Sequence, residues 1–186
     1  MDRKQLKANA KSQIKGNIGI LFLCYLVMGL ISGTVVGALF APAMGLGFCL
    51  MYLGLIDGVK PAIGDLFKKA NAFGKALWLM IITGFFTVLW TYLLIVPGII
   101  KGLSYSMGPY IMSENPDWTA RQCLTESKRI MKGNVGKLFV LELSFIPWFL
   151  LCSITFGIAF VYVFPYMNTT IANFYRQIKE EAPVAA

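Results

Sequence analysis

Residues 131–139 read MKGNVGKLF and residues 14–22 read IKGNIGILF, so the chain contains nearly the same junction twice. Six of the nine positions are identical, and each copy separates a lysine-rich segment from a long apolar run. Glycine and asparagine tolerate the positive-φ backbone that ends a helix. The motif therefore predicts an elbow, at which an amphipathic helix stops and an apolar helix begins. Either duplication or convergence explains the likeness, and the shared Leu-Phe pair favours an internal repeat.

The segment before each junction has the pattern of a helix with one apolar face. In residues 2–15, Leu6, Ala10 and Ile14 recur every four residues among lysines, and residues 117–132 show a similar stripe. We predict that both helices lie in the membrane interface, apolar side toward lipid and basic side toward anionic headgroups. The basic residues expected to bind the membrane surface are Lys7, Lys11, Lys15, Lys128, Arg129 and Lys132.

The composition indicates a membrane protein. The chain is 57% hydrophobic and 14% charged, with a mean hydropathy of +0.66. Three blocks, residues 18–56, 76–113 and 138–175, hold only Lys101 and Glu142 as charged residues. A spanning helix needs about 20 apolar residues, so each block is two helices long. The expected fold is all-α, with six transmembrane helices arranged as three helical hairpins.

The turns and the orientation follow from glycine, proline and lysine positions. Breakers stand inside each block, at Gly37 with Pro42, at Pro97-Gly98 and at Gly157. Sixteen of the 17 lysines and arginines lie outside the blocks, in segments that an even number of spans places on one side. The positive-inside rule makes that side, with both termini, cytoplasmic. The first span is expected to stay uncleaved.

We predict one polytopic domain over residues 1–186. It comprises a first helix pair with the N-terminal amphipathic helix (1–59), a second pair (60–113), a second amphipathic helix with the third pair (114–176), and a short tail (177–186). The four cysteines fall within predicted spans or on the reducing side, so no disulfide framework is expected. With no histidine in the chain, a metal site and a cofactor are not expected either.

Three stretches carry a family resemblance: LLIVPGIIKGLSYSMGPYIMSENP (93–116), SKRIMKGNVGKLFVLELSFIPW (127–148) and PYMNTTIANFY (165–175). In this order they resemble a family of integral membrane proteins of Gram-positive bacteria known as "domain of unknown function nine-seven-five". The resemblance implies a six-span bacterial membrane protein and transfers no activity. Pro147 stands where the family pattern has glycine, so we expect a different bend in the fifth span.

Glycines recur at four-residue spacing in the first predicted span, at Gly29, Gly33 and Gly37. Small residues at this spacing allow two helices to approach closely, as in a glycine zipper. The partner is either another helix of the same bundle, which we favour, or a second copy of the chain in a homodimer.

Polar residues inside the apolar blocks are the candidate site. Glu142 lies in the fifth predicted span, Asn168 and Asn173 in the sixth, and Asp57 ends the second. Because polar groups in hydrocarbon need partners, we expect Glu142 to face the sixth span at a polar intramembrane pocket open to the cytoplasm. Interhelical hydrogen bonding without a ligand explains the same residues, and we favour it. Lys101 is a further intramembrane charge, close enough to the outer interface to extend toward it.

The function expected from these features is non-enzymatic. The protein would bind or pass a lipid, a peptide or a small solute, or scaffold a membrane partner. The alternatives are a membrane-embedded enzyme acting on a lipid-linked substrate, and an accessory or immunity-type protein that protects the membrane. Catalysis needs converging acid, base or nucleophilic groups, and the spans offer few of them. Expected partners are membrane lipids, with anionic headgroups on the cytoplasmic leaflet, and not nucleic acid.

Overall fold

The structure is a computed structural model that describes residues 3–33, 35–93, 95–155 and 157–182. These residues form α-helices and short 3-10 turns and contain no strand, which confirms the all-α prediction. The helices are α1 Arg3–Ile14, α2 Ile18–Ser32, α3 Val35–Ile56, α4 Phe73–Leu93, α5 Ile95–Tyr105, α6 Gly108–Glu114, α7 Ala120–Met131, α8 Val135–Leu143, α9 Ile146–Ile154 and α10 Phe160–Glu181. Two 3-10 turns, Ile63–Phe67 and Ala70–Ala72, connect α3 to α4.

The two copies of the repeated junction have the same backbone geometry. Gly16 has φ of 88° and Gly133 has φ of 81°, the left-handed region that glycine enters without steric cost. The next residue is the N-cap of the new helix in both copies, with φ of −111° at Asn17 and −108° at Asn134. At the first copy the chain bends by 85°. The elbow predicted from the motif is therefore present twice.

The amphipathic helices are present, but their apolar faces pack inside the protein. On α1, Leu6 is 5% exposed and Ala10 and Ile14 are fully buried, because α1 lies against α10. On α7, Leu124 is 5% exposed, and the buried face meets α4, α5 and α6. The prediction that these faces meet lipid is wrong. Neighbouring helices supply enough apolar surface to cover both stripes.

The helix boundaries differ from the predicted turns in two of three hairpins. Pro42 lies inside α3, and α2 ends at Ser32, five residues before Gly37, where the predicted break begins. Pro97 lies in the first turns of α5, where its missing N–H has no intrahelical acceptor to lose. The third turn is as predicted, with Gly157 at φ of 87° between α9 and α10.

Fewer helices are long and apolar enough to cross a membrane than the six that the sequence predicts. Among the described residues, the stretch Val135–Ile154 (α8 with α9) is long and apolar enough to cross a membrane, and the bent pair α1–α2 adds a second if it is one span. The helix α2 has 15 residues and is about 22 Å long at 1.5 Å per residue, against about 30 Å of hydrocarbon. The six-span arrangement stays a prediction.

The helix α3 is at the centre of the molecule. It contacts α1, α2, α4, α6 and α10, and the 3-10 turn Ile63–Phe67 folds back onto it. Gly47 permits that contact, because a Cβ there would lie 2.5 Å from the Leu66 carbonyl oxygen. A glycine of α3 therefore accommodates the backbone of the loop, a role that the sequence did not indicate.

The glycine zipper does not pack against another helix of the bundle at its described positions. Gly29 on α2 and Gly33, the residue that caps its C-terminus, are exposed. A Cβ at Gly29 would meet no atom within 4 Å, and one at Gly33 would meet only carbonyl oxygens of its own helix. The favoured interpretation, packing inside the bundle, is wrong for these two glycines. The side-chain surroundings of Gly37 lie outside the described residues.

Candidate functional site

An apolar cleft of about 450 Å³ lies between α3, α4 and the α5–α6 junction. Its lining is almost entirely apolar, and small residues on two facing helices, Gly45 on α3 and Gly84 on α4, leave the space open. The full lining is Pro42, Gly45, Leu46, Ala76, Leu79, Met80, Thr83, Gly84, Tyr105, Ser106 and Pro109.

Three hydroxyl-bearing residues, Thr83, Tyr105 and Ser106, are among the lining residues of this apolar space. Ser106 donates its hydroxyl to the Leu103 carbonyl at 2.7 Å, so that hydroxyl is already satisfied by its own helix. Thr83 is half-buried on α4. The chemistry of the cleft is therefore that of burial and dispersion, which suits a hydrocarbon chain or another apolar group.

The four residues of the predicted polar pocket do not share one hydrogen-bonded site. Asn173 pairs with Gln13 of α1, donating to its Oε1 at 2.6 Å. Asn168 donates to the Tyr25 hydroxyl of α2 at 3.3 Å. The sequence could not show that α1 lies along α10 and pairs with Asn173, or that α2 supplies the partner of Asn168.

The other two predicted pocket residues lie elsewhere. Glu142 is half-buried on α8, which packs against α5, whereas it is α9 that packs against α10. Asp57 forms an ion pair with Arg176 at the end of α10. Lys101, the predicted intramembrane charge, is half-buried on α5.

A lysine of α1 caps the break between α8 and α9. Pro147 has no N–H. The Trp148 N–H donates to the Phe145 carbonyl oxygen at 2.9 Å instead of to the Ser144 carbonyl oxygen. The Ser144 carbonyl is thus left without its helical donor. The Lys7 ammonium donates to it at 3.1 Å and lies 4.3 Å from the centroid of the Phe145 ring. Burial, with the nearby Arg3 charge, lowers the pKa of Lys7.

An ion network that the sequence analysis missed joins the ends of α3, α6 and α10. The Glu114 carboxylate accepts from the Tyr175 hydroxyl at 2.5 Å and from the Lys179 ammonium at 2.6 Å. Arg176 lies 3.9 Å from Glu114 and pairs with Asp57. These charges are far apart in the sequence, and only the i, i+4 pair of Tyr175 and Lys179 signals that they share a helix face.

The remaining predicted surface cations divide into two groups. Lys128 lies over the Tyr105 ring, 5.1 Å from its centroid, and Arg129 pairs with Glu126 on α7. The hydrogen bond from Arg129 lowers the pKa of the Glu126 carboxyl. The other three, Lys11, Lys15 and Lys132, are exposed. Half of the cations expected to bind headgroups therefore have a partner within the protein.

About half of the chain matches the model of a known protein family. Residues 92–182 match the model of the family described as "Protein of unknown function (DUF975)". This part of the chain is similar to that family. The resemblance found in the three sequence stretches is thereby confirmed. No curated protein and no solved structure matches the chain.

The DUF975 region supplies one wall of the cleft. It contains α5 to α10, and from it come Tyr105, Ser106 and Pro109. The opposite walls, on α3 and α4, come from residues before the matched region. The cleft thus joins the two halves of the chain. The family description gives no activity.

Proposed function

We propose that this DUF975 protein is a multi-pass bacterial cell-membrane protein that binds an apolar ligand, such as a lipid acyl chain, in the cleft between α3, α4 and α5–α6. The observation that supports the proposal is the cleft itself. Its volume of about 450 Å³ lies within the range of roughly 300–1,000 Å³ that is usual for ligand sites.

The membrane location is supported by composition and by exposed apolar surface. The candidate span Val135–Ile154 has only 22% of its residues buried inside the protein. Large apolar side chains such as Leu30, Leu150 and Ile154 are 70%, 61% and 75% exposed. A surface of this kind is favourable against hydrocarbon and unfavourable against water. With the lysine distribution, this supports the proposed topology, in which both termini are cytoplasmic.

Binding without catalysis is the mode of action that we propose. The cleft is lined by groups that bury an apolar ligand, and it holds no charged side chain among its lining residues. A ligand there gains mainly from the removal of apolar surface from water or from looser lipid contacts. This fits a protein that holds or passes a lipid, or that presents one to a partner.

The test is to fill the cleft. Gly84 lines it, and a Cβ there would meet no atom within 4 Å, so Gly84→Phe is expected to occupy the space without a clash at the first carbon. Gly29→Phe is the matched control, because Gly29 is also an open glycine on an apolar helix and lies outside the cleft lining. The measurement is the amount of lipid that stays bound per protein after detergent washing, by native mass spectrometry.

We expect the parent protein and Gly29→Phe to retain lipid equally and Gly84→Phe to lose most of it. Circular dichroism of both variants controls for folding. Equal retention by a folded Gly84→Phe variant would contradict the proposed use of the cleft.

A further inference from the structure

A second cavity, of about 280 Å³, lies where the start of α1 meets the first turns of α8. Its lining residues are Arg3 from α1 and Gly136, Lys137 and Val140 from α8. Two cations from helices that are distant in sequence therefore face one space. The apolar cleft and the predicted polar pocket share none of these residues.

The charges at this cavity are not balanced by acids among the described residues. The Arg3 guanidinium has no ion pair there, and its positive charge is one of the causes that lower the pKa of Lys7. The Lys137 ammonium donates to the Asn134 side-chain oxygen at 2.7 Å, a neutral partner. The first turn of α8 holds no acidic residue. Among the described residues, the positive potential is left for a bound anion to neutralise.

Comparison of the two elbows shows that this charge is not a requirement of the fold. The first copy of the junction has Ile20 at the place of Lys137 and Gly19 at the place of Gly136. Both copies form the same elbow, with matching glycine and asparagine dihedral angles. A lysine is therefore unnecessary for the turn, and it stands only at the copy that Arg3 approaches.

We propose that Arg3 and Lys137 bind the phosphate group of an anionic lipid headgroup. Arginine and lysine are the usual phosphate ligands, and arginine binds two phosphate oxygens at once. Lys137 is the third residue of the candidate span Val135–Ile154, which places its ammonium where a membrane-crossing helix passes the headgroups. The lipid source of the phosphate rests on the proposed membrane location, and the phosphate chemistry itself does not.

The test compares variants of equal charge in the full-length protein in neutral detergent. Arg3→Gln with Lys137→Gln removes two positive charges at the cavity. Lys60→Gln with Arg121→Gln removes two positive charges at exposed positions outside the cavity and is the matched control. Each protein is titrated with dioctanoyl phosphatidylglycerol, with zwitterionic dioctanoyl phosphatidylcholine and with inorganic phosphate, and binding is measured by calorimetry.

We expect phosphatidylglycerol to bind the parent protein and the control variant with similar affinity, and the cavity variant at least about tenfold more weakly, because charge-assisted hydrogen bonds are lost. Phosphatidylcholine should bind weakly to all three. Competition by millimolar inorganic phosphate would identify a free anion as a second source of the same chemistry. Equal loss in the cavity and control variants, or no loss in the cavity variant, would overturn the proposal.

The experiment separates this site from the cleft. Gly84→Phe changes no charge and lies outside the cavity, so it should retain the preference for phosphatidylglycerol over phosphatidylcholine. If Gly84→Phe retains as much lipid as the parent protein and also keeps the preference for phosphatidylglycerol, only the proposed function of the cleft fails. If the cleft variant loses lipid and the cavity variant keeps its anion preference, only the phosphate site fails. Arg3→Gln alone, at an exposed position in the first turn of α1, provides the comparison if the double variant does not fold.

Discussion

The cap that Lys7 places on the proline break predicts a measurable loss of stability. Lys7→Met removes the ammonium and keeps the apolar stem. It deletes one hydrogen bond from a charged donor, worth about 1.5–3 kcal/mol, and one cation–π contact, worth about 0.5–1 kcal/mol near the surface. Because Lys7 is half-buried, water replaces part of the lost interaction. We expect the free energy of unfolding to fall by about 2 kcal/mol.

The assay is equilibrium unfolding in mixed micelles, followed by circular dichroism. Lys11→Met is the control, because Lys11 lies one turn further along α1 and is exposed. The control is expected to change the free energy of unfolding by less than about 0.5 kcal/mol. If Lys7→Met and Lys11→Met have the same free energy of unfolding, the contact with Ser144 does not stabilise the protein.

A double-mutant cycle with Pro147→Ala tests the cause. The alanine supplies the missing N–H, so the helical pairing across residues 143–148 can close and the Ser144 carbonyl regains the Trp148 donor. In that background Lys7→Met should cost about 1 kcal/mol less than in the parent protein. Strict additivity of the two changes would refute the idea that Lys7 acts on a carbonyl freed by the proline.

Two further predictions concern packing and topology. Gly47→Ala should lower the free energy of unfolding by about 1–3 kcal/mol, because its Cβ would overlap the Leu66 backbone. At Gly45 an added Cβ would meet no atom within 4 Å, so Gly45→Ala should be neutral or stabilising. Chemical unfolding measures both variants, and equal effects on the free energy of unfolding would contradict the close approach of Gly47 to Leu66. In a background without native cysteines, Ile158→Cys should react with an impermeant thiol reagent added outside the cell, and Lys68→Cys should not. Labelling of the Lys68→Cys variant from outside would reverse the proposed orientation.

The family, the all-helical class and the two elbows could be predicted from the sequence because each depends on local information. The Lys-Gly-Asn motif contains the residues that a positive φ and a new helix start require, and Gly16 and Gly133 adopt that conformation. Four-residue apolar spacing predicted α1 and α7, and both helices formed within a few residues of the expected bounds. The three family stretches needed no tertiary information at all.

What covers each apolar stripe was decided by tertiary structure. Periodicity shows that Leu6 and Leu124 lie on an apolar face, but lipid and protein are equally suitable partners for such a face. Similarly, four-residue spacing placed Gly29 and Gly33 on one side of α2 and could not show that this side stays open. Proline positions misled in two hairpins, since α3 continues through Pro42 and Pro97 lies inside α5.

The sequence by itself determined the helices, the elbows and the concentration of basic residues between apolar blocks, because these follow from the spacing of neighbouring residues. The tertiary structure alone decided the sites. Asn173 pairs with Gln13 and Lys7 with the Ser144 carbonyl, and Arg3 lines the same cavity as Lys137. The two residues of each pair are more than a hundred positions apart in the sequence. The apolar cleft exists because small residues of α3 and α4 meet across a gap. Such coincidences depend on how helices pack, and the packing energy is spread over many weak contacts that no short motif records.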